Sequence, residues 1–376
     1  MIETKDQHKK KLLFLTLDGF SNTGGIQSVC KNMAFTLNSI CGKSNSMKVL
    51  NLSLYDNLAN DEYIKVENFH GCRGNTFNFC FVALRQGITS DTIIVSHINL
   101  LLFAVFIKLL NRKSRIIMLA HGTEIWRGIP VWKSYFIRFA VHIWSVSKHT
   151  KDILIKKHNI DKQDITVLNN CLDPFHYTLK DLGKPEELLI LHTLSTFQPI
   201  LISVCRMSYY DRDKGYEITL DAISRLYKEF PDIHYFMIGC IEASELIRIN
   251  TLIDALAIKQ YVTVLGYVSD FELAKYYLLA DLFVLPSTKE GFGIVFIEAA
   301  SFGCTIISGN EDGSNEALLN GTLGISINPS SESLTSQIAI SLKNKPSTKS
   351  KRNLQRQCLK QFSQCKYEER VKTLLR

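Results

Sequence analysis

Short apolar runs alternate with longer amphipathic ones along nearly the whole chain. In the first half, Lys11–Leu17, Lys48–Leu54, Thr92–Ser96, Arg115–Ala120, Ile143–Ser147 and Ile165–Leu168 read as strands, and Ile26–Leu37 has helical spacing. Between Thr178 and Pro199 the periodicity fades, which predicts a linker. It resumes with Ile200–Cys205, Ile233–Ile238, Tyr261–Leu265, Leu282–Leu285 and Thr305–Ser308, with helical patterns such as Glu217–Phe230 between them. Strands alternating with helices belong in a parallel sheet covered on both faces. The pattern therefore predicts an α/β chain of two doubly wound, Rossmann-like domains, 1–185 and 198–355, with an interdomain cleft. The tail has helical spacing and no strand, and predicts a terminal helix over 356–376.

The length of 376 residues suits two cores of ordinary size, and 46% apolar with 21% charged residues describes a globular chain. The net charge of +8 is uneven. Residues 1–195 hold 24 Lys and Arg against 16 Asp and Glu, and the remainder holds 20 of each. A basic first half suits phosphates or an anionic membrane surface, or is simply a solvated face. The ten cysteines are scattered without a C-x-x-C pair, and the N-terminus is polar and lysine-rich. Both features predict free thiols and a cytoplasmic location, with peripheral attachment to the inner face of the membrane as the variant. The longest apolar run, Ile98 to Leu110, is interrupted by Lys108 and is too short to span a bilayer.

The densest chemistry lies in Glu290-Gly-Phe-Gly-Ile-Val-Phe-Ile-Glu298, between a predicted strand closed by Pro286-Ser287 and a predicted helix. Gly291 and Gly293 let the backbone approach a ligand closely. Amides at the helix start, near Ile294 and Val295, make a seat for a pyrophosphate. Glu298, one turn on, can accept hydrogen bonds from paired ribose hydroxyls, and Glu290 can do the same for a sugar ring. A phosphate seat with two readers of hydroxyls describes a nucleotide-sugar site. Arg206 ends one predicted strand and Lys214-Gly215 follows a polar insert, so two cations can reach one point, as a diphosphate leaving group requires.

These residues resemble the E-x7-E motif and companion loops of retaining glycosyltransferases of family 4, the group 1 transferases of GT-B fold. The resemblance implies an interdomain donor site and a C-terminal helix that crosses back onto the first domain. It implies catalytic roles for His121, Arg206, Lys214 and Glu290. It implies donor contacts from Gly24, Gly25, Gly291, Phe292, Gly293, Ile294, Glu298 and Glu316. His121 follows the strand Arg115–Ala120 and takes the family's sugar-reaching histidine role; the other nine histidines lack such a setting. Asp312 stands where the family has the first glycine of a Gly-Gly pair, while Gly313 and Glu316 are kept. Asn170 and Asp173 match a structural segment at the domain border, with Cys171 replacing its glycine.

No cofactor or metal is expected, because the nucleotide-sugar (a UDP- or GDP-sugar) is a substrate. Asp211-Arg212-Asp213 is a D-x-D triplet, but its position before Lys214-Gly215 reads better as a solvated loop than as a cation site. The Gly24-Gly25 turn is not the G-x-G-x-x-G fingerprint of nicotinamide enzymes. Trp126, Trp132 and Trp144, interleaved with Arg127, Lys133 and Arg138, suit a membrane interface or, in preference, a helix packed on its own sheet. The expected partners are a nucleotide-sugar and a glycan or polyprenyl-linked acceptor, with no nucleic acid. A non-catalytic sugar-nucleotide-binding subunit and a GT-B epimerase are the alternative readings.

Overall fold

The computed structural model describes residues 9–44, 46–126, 128–177 and 181–376. The chain divides into two units, 1–174 with 363–376, and 175–362. The sequence-based boundaries at 185, 198 and 355 differ from this division.

In the first unit seven strands form one sheet: β1 (Lys10–Thr16), β2 (Met47–Ser53), β3 (Phe69–Gly71), β4 (Thr92–Val95), β5 (Arg115–Ala120), β6 (Val141–Ser145) and β7 (Ile165–Val167). Their order is β3-β2-β1-β4-β5-β6-β7, and every pairing is parallel. The helices are α1 (Gly25–Gly42), α2 (Thr76–Gly87), α3 (Leu101–Leu110), α4 (Thr123–Trp126), α5 (Val131–Ala140) and α6 (Lys148–His158). Leu12, Leu13, Phe14 and Leu15 are all buried, as a strand covered on both faces requires.

The second unit has six strands: β8 (Ile200–Val204), β9 (His234–Ile238), β10 (Val262–Gly266), β11 (Leu282–Leu285), β12 (Thr305–Gly309) and β13 (Gly324–Ile327). Their order is β10-β9-β8-β11-β12-β13, again wholly parallel. Its helices are α7 (Glu186–Leu191), α8 (Tyr216–Leu226), α9 (Ala243–Ala255), α10 (Asp270–Leu279), α11 (Ile294–Ser301), α12 (Ser314–Ala317), α13 (Ser331–Lys343) and α14 (Thr348–Phe362). Each sheet reverses direction beside its first strand, at β1/β4 and at β8/β11. In open α/β sheets the crevice at such a reversal, beyond the carboxyl ends of the strands, is where ligands bind.

The predicted linker is partly structured. Residues 178–180 lie outside the described residues, but α7 packs on α10, and Lys184 Nζ pairs with Asp281 at 2.8 Å. Burial pushes Lys184 down from its ordinary value, and the Asp281 carboxylate opposes that shift. Asp281 also accepts from the Ile200 amide at 3.0 Å and so fixes the start of β8. The tail is two helices, not one. In α14, Cys358 bonds the Ile297 carbonyl of α11. The chain then breaks at Ser363 and continues as α15 (Gln364–Leu374) on α1 of the first unit, where Glu368 takes Lys43 at 2.7 Å and Ser39 at 2.9 Å. Among the described residues no helix is long and apolar enough to cross a membrane.

Candidate functional site

In the second unit the loops after β8, β11 and β12 are laced together. After β8 the chain runs through Arg206 into a 3-10 turn, Tyr209–Lys214, and leaves it at Gly215 with φ 79°. A Cβ at Gly215 would strike the Pro286 carbonyl oxygen, so this glycine is required for the loops after β8 and β11 to touch. The Thr288 amide donates to the Asp213 carbonyl at 2.9 Å, and Lys289 pairs with the Asp213 carboxylate at 3.2 Å. Lys214 Nζ reaches Glu290 Oε2 at 2.5 Å. Each of those two side chains keeps 19% of its surface exposed, so the pair is sheltered yet reachable. Burial pulls Lys214 down, but the Glu290 charge and hydrogen bond more than offset it and hold the ammonium above its ordinary value. The sequence reading gave these two residues separate partners; the fold joins them.

The D-x-D triplet is not a solvated loop. Asp211 is buried and takes Arg206 through both carboxylate oxygens, at 2.7 and 3.0 Å, while Ser208 donates a further hydrogen bond. Burial raises Asp211, and the Arg206 and Ser208 hydrogen bonds with the Arg206 and Lys214 charges bring it below its ordinary value. The Arg206 side chain is 67% exposed, so its guanidinium is oriented from behind and open in front. Arg212 turns the other way, onto Glu245, which also accepts from Tyr216 at 2.6 Å and pairs with Arg248. Burial would raise Glu245, yet the bonds from Arg248, Arg212 and Tyr216 push it down to about 2. This network ties the Lys214 turn to α9 and limits its movement.

The glycine-rich loop after β11 delivers α11. Gly293, at φ 83°, precedes its first residue, and among the described residues no side chain caps this helix start. Its first amides, at Ile294 and Val295, are therefore left without a side-chain cap, the arrangement that an anion seat at a helix N-terminus requires. Phe292 was expected among the donor contacts, but its side chain is fully buried, edge-on to Phe362 at 5.7 Å. Only its backbone remains to serve a ligand. Glu298 lies one turn along α11 and accepts from the Tyr277 hydroxyl at 2.9 Å. Glu316 is half-buried in α12.

Asp312 explains how this chain manages without the first glycine. Its buried carboxylate accepts from the Glu290 amide at 2.7 Å and from the Ser314 amide at 3.0 Å and hydroxyl at 2.5 Å. A Cβ at Gly313 would meet the Gly291 carbonyl, so the two loops are in backbone contact as well. Burial pushes Asp312 from 3.8 up to about 6, against the Ser314 hydrogen bonds and with the Glu290 charge. A carboxyl raised on folding favours the protonated folded state. Its contribution to stability is therefore full below about pH 4 and is lost as pH rises through about 6. The stability of Asp312→Asn relative to wild type should accordingly grow by about 2 kcal/mol between those pH values, as read by urea unfolding. A pH-independent difference would show that Asp312 titrates normally.

In the first unit His121 follows β5. Its Nε2 lies 2.6 Å from the Ser96 carbonyl, and its amide donates to Glu124 at 2.6 Å. A carbonyl can only accept, so Nε2 carries a proton; Nδ1 is buried, has no partner among the described residues, and is an acceptor in the neutral ring. His121 is not alone in such a setting: His97 lies two residues beyond β4 at the strand reversal and feels the charges of Glu124, His121, Lys133 and Asp18. Burial, the largest cause, lowers it. Asp18 receives Gln27 at 2.9 Å and Asn22 at 2.6 Å, which shapes the turn before Gly24-Gly25 and α1. Asp56, 1% exposed, accepts from the Gly19, Phe20 and Ser21 amides and holds the rest of that loop. Sequence reasoning passed over His97, Asp18 and Asp56. All three carried a readable signal, a place within two residues of the end of a predicted strand. Asn170 is buried, and Asp173 accepts from Tyr63 at 2.6 Å.

Residues 192–360 match the family model described as glycosyl transferases group 1. A segment of 133 residues, 35% of this chain, is 28% identical to 32% of alpha-monoglucosyldiacylglycerol synthase of Acholeplasma laidlawii. A segment of 117 residues, 31% of this chain, is 29% identical to 30% of phosphatidyl-myo-inositol mannosyltransferase of Mycobacterium tuberculosis. The chain thus spans about a third of the length of these curated relatives. Among solved structures, Anabaena HepE in complex with UDP superposes with a TM-score of 0.79 at 16% identity, over 97% of this chain and 99% of that one.

Proposed function

We propose, for a protein whose residues 192–360 match the model of the group 1 glycosyl transferases and whose two Rossmann-like units have the GT-B fold, that it moves a sugar from a nucleotide-sugar to a lipid-linked or glycan acceptor. The observation that carries this reading is the convergence of Arg206, the Lys214–Glu290 pair and the uncapped start of α11 at one strand reversal. As the bond from sugar to diphosphate breaks, charge builds on the departing phosphate. Arg206, aimed by Asp211, and Lys214 stabilise it, and the Gly293 and Ile294 backbone seats the phosphate. Glu298 takes the ribose hydroxyls with Tyr277 behind it, and Glu290 holds the transferred sugar while fixing Lys214.

The family resemblance favours retention by front-face attack, with the leaving phosphate accepting the acceptor's proton. Both carboxylates of the D-x-D triplet are engaged by Arg206 and Lys289. This supports leaving-group stabilisation by side-chain cations, without a metal. The roles of His121, Gly24, Gly25 and Glu316 rest on the family resemblance. For His121 the Nδ1 acceptor suits a sugar hydroxyl. The names of the two relatives favour a lipid-linked acceptor.

Calorimetry with UDP, GDP and their sugars, followed by transfer assays on the tightest binder, tests the proposal. Glu298→Gln should weaken nucleotide binding about tenfold, since it removes the charge from a hydrogen bond to hydroxyls. Unchanged affinity would contradict the ribose assignment, and binding without transfer or donor hydrolysis would contradict the enzyme reading.

A further inference from the structure

The three tryptophans do not form one stripe: Trp144 is buried in β6, Trp126 sits edge-on to His149 in α4, and Trp132 is exposed on α5. Arg127 lies outside the described residues. What the fold assembles is larger. Helices α2, α3 and α5 pack side by side in the first unit, α2 on α3 and α3 on α5. Each turns one row to its sheet and an apolar row to solvent. On α3 the inner row is Leu101, Ala104 and Ile107, and the outer one is Leu102, Phe106, Leu109 and Leu110. On α5 Ile137 is inside, and Val131, Trp132, Tyr135 and Phe139 are outside, Phe139 at 73% exposure. On α2 Phe77 and Phe81 face out, Phe77 at 91%. The spacings of three and four residues put each set on one helix face. Soluble helices ordinarily place charged residues there.

The charge on this layer has one sign. The three helices contain Arg85, Lys108, Lys133 and Arg138 and no Asp or Glu, and Arg112 and Lys113 extend the basic edge beyond α3. A contiguous apolar face of this kind marks an interaction surface. We propose that the outer face of α2, α3 and α5 docks on an anionic lipid bilayer, with the aromatic and aliphatic rows entering the interface and the exposed Arg85, Arg112 and Lys113 meeting headgroup phosphates. A second copy of the chain fits poorly, because it would set one acid-free basic face against another. Trp and Tyr favour the headgroup level, where Trp132 and Tyr135 would lie. The inference is independent of the catalytic reading, since attachment is measured without turnover.

The test is co-sedimentation of the full chain with vesicles of phosphatidylcholine alone and of phosphatidylcholine mixed equally with phosphatidylglycerol. Binding is expected to the mixed vesicles and to fall with added salt. Each basic residue removed should weaken partitioning about fivefold, so Arg85→Gln/Arg112→Gln/Lys113→Gln should bind about a hundredfold less. Trp132→Ser/Phe139→Ser should lose about tenfold or more. These sites are exposed, and circular dichroism with the melting temperature confirms that each variant is folded. Equal binding of variants and wild type, or no binding to mixed vesicles, overturns the proposal. So does a dimer in sedimentation velocity that Trp132→Ser/Phe139→Ser dissociates, because the face would then belong to a second copy.

Discussion

Lys214→Ala should lower sugar transfer by two to three orders of magnitude in kcat, about 3–4 kcal/mol of barrier, the usual cost of losing one fixed group aimed at developing charge. The melting temperature should fall only modestly, because the Glu290 partner remains 19% exposed and can be solvated. Lys289→Ala is the matched control. That lysine also pairs with a carboxylate, Asp213, but its side chain is 58% exposed and off the Lys214–Glu290 contact. It should change kcat by less than about threefold, as surface ion pairs are worth little. Single-turnover measurement of transfer separates the chemical step from product release. If Lys214→Ala turns over at the wild-type rate, the lysine is structural and the leaving-group assignment fails. A large loss that appears only in KM would instead assign it to ground-state binding of the donor.

Gly293→Ala should be strongly damaging in the second unit. The residue sits at φ 83°, where a side chain costs about 1–3 kcal/mol. An added Cβ would also run into the Phe296 ring, and Phe296 is fully buried against Phe283 at 5.6 Å between ring centres. Overpacking of that kind adds about 1–3 kcal/mol. Urea unfolding should therefore show a loss of about 2–5 kcal/mol, together with weakened nucleotide binding as the start of α11 moves. Gly25→Ala is the contrast: a Cβ there meets nothing, so stability should be nearly unchanged. If Gly293→Ala is as benign as Gly25→Ala, the loop is not held as described and the proposed anion seat has no fixed geometry.

Much of this molecule could be read from local order. A run such as Leu12–Leu15 is apolar at every position, which only a strand covered on both faces explains, and both sheets formed where such runs stood. The strands that escaped notice, β3 and β13, are three and four residues long, contain glycine and have no comparable apolar run. The tail was legible as helical but not as two helices, because the break at Ser363 interrupts the pattern for a single residue. The placement of Arg206, Glu290 and His121 beyond strand ends was equally local, since each follows its strand directly or at the end of a short loop.

The amino-acid order by itself determined two parallel α/β units and which short loops hold the candidate site residues, because periodicity, glycine and proline act over a few neighbouring residues. Only the tertiary structure decided which loops meet. Lys214 and Glu290 are 76 positions apart and touch because β8 and β11 are adjacent in a sheet whose order is not that of the chain. The same holds for Asp312 under the Glu290 amide, 22 positions away. Asp211, close to Arg206 in sequence, gained its role from burial, which no spacing announces. The outward apolar rows of α2, α3 and α5 are likewise a tertiary result. Helices rich in apolar residues on several sides show which side is covered only once their sheet and neighbours are in place.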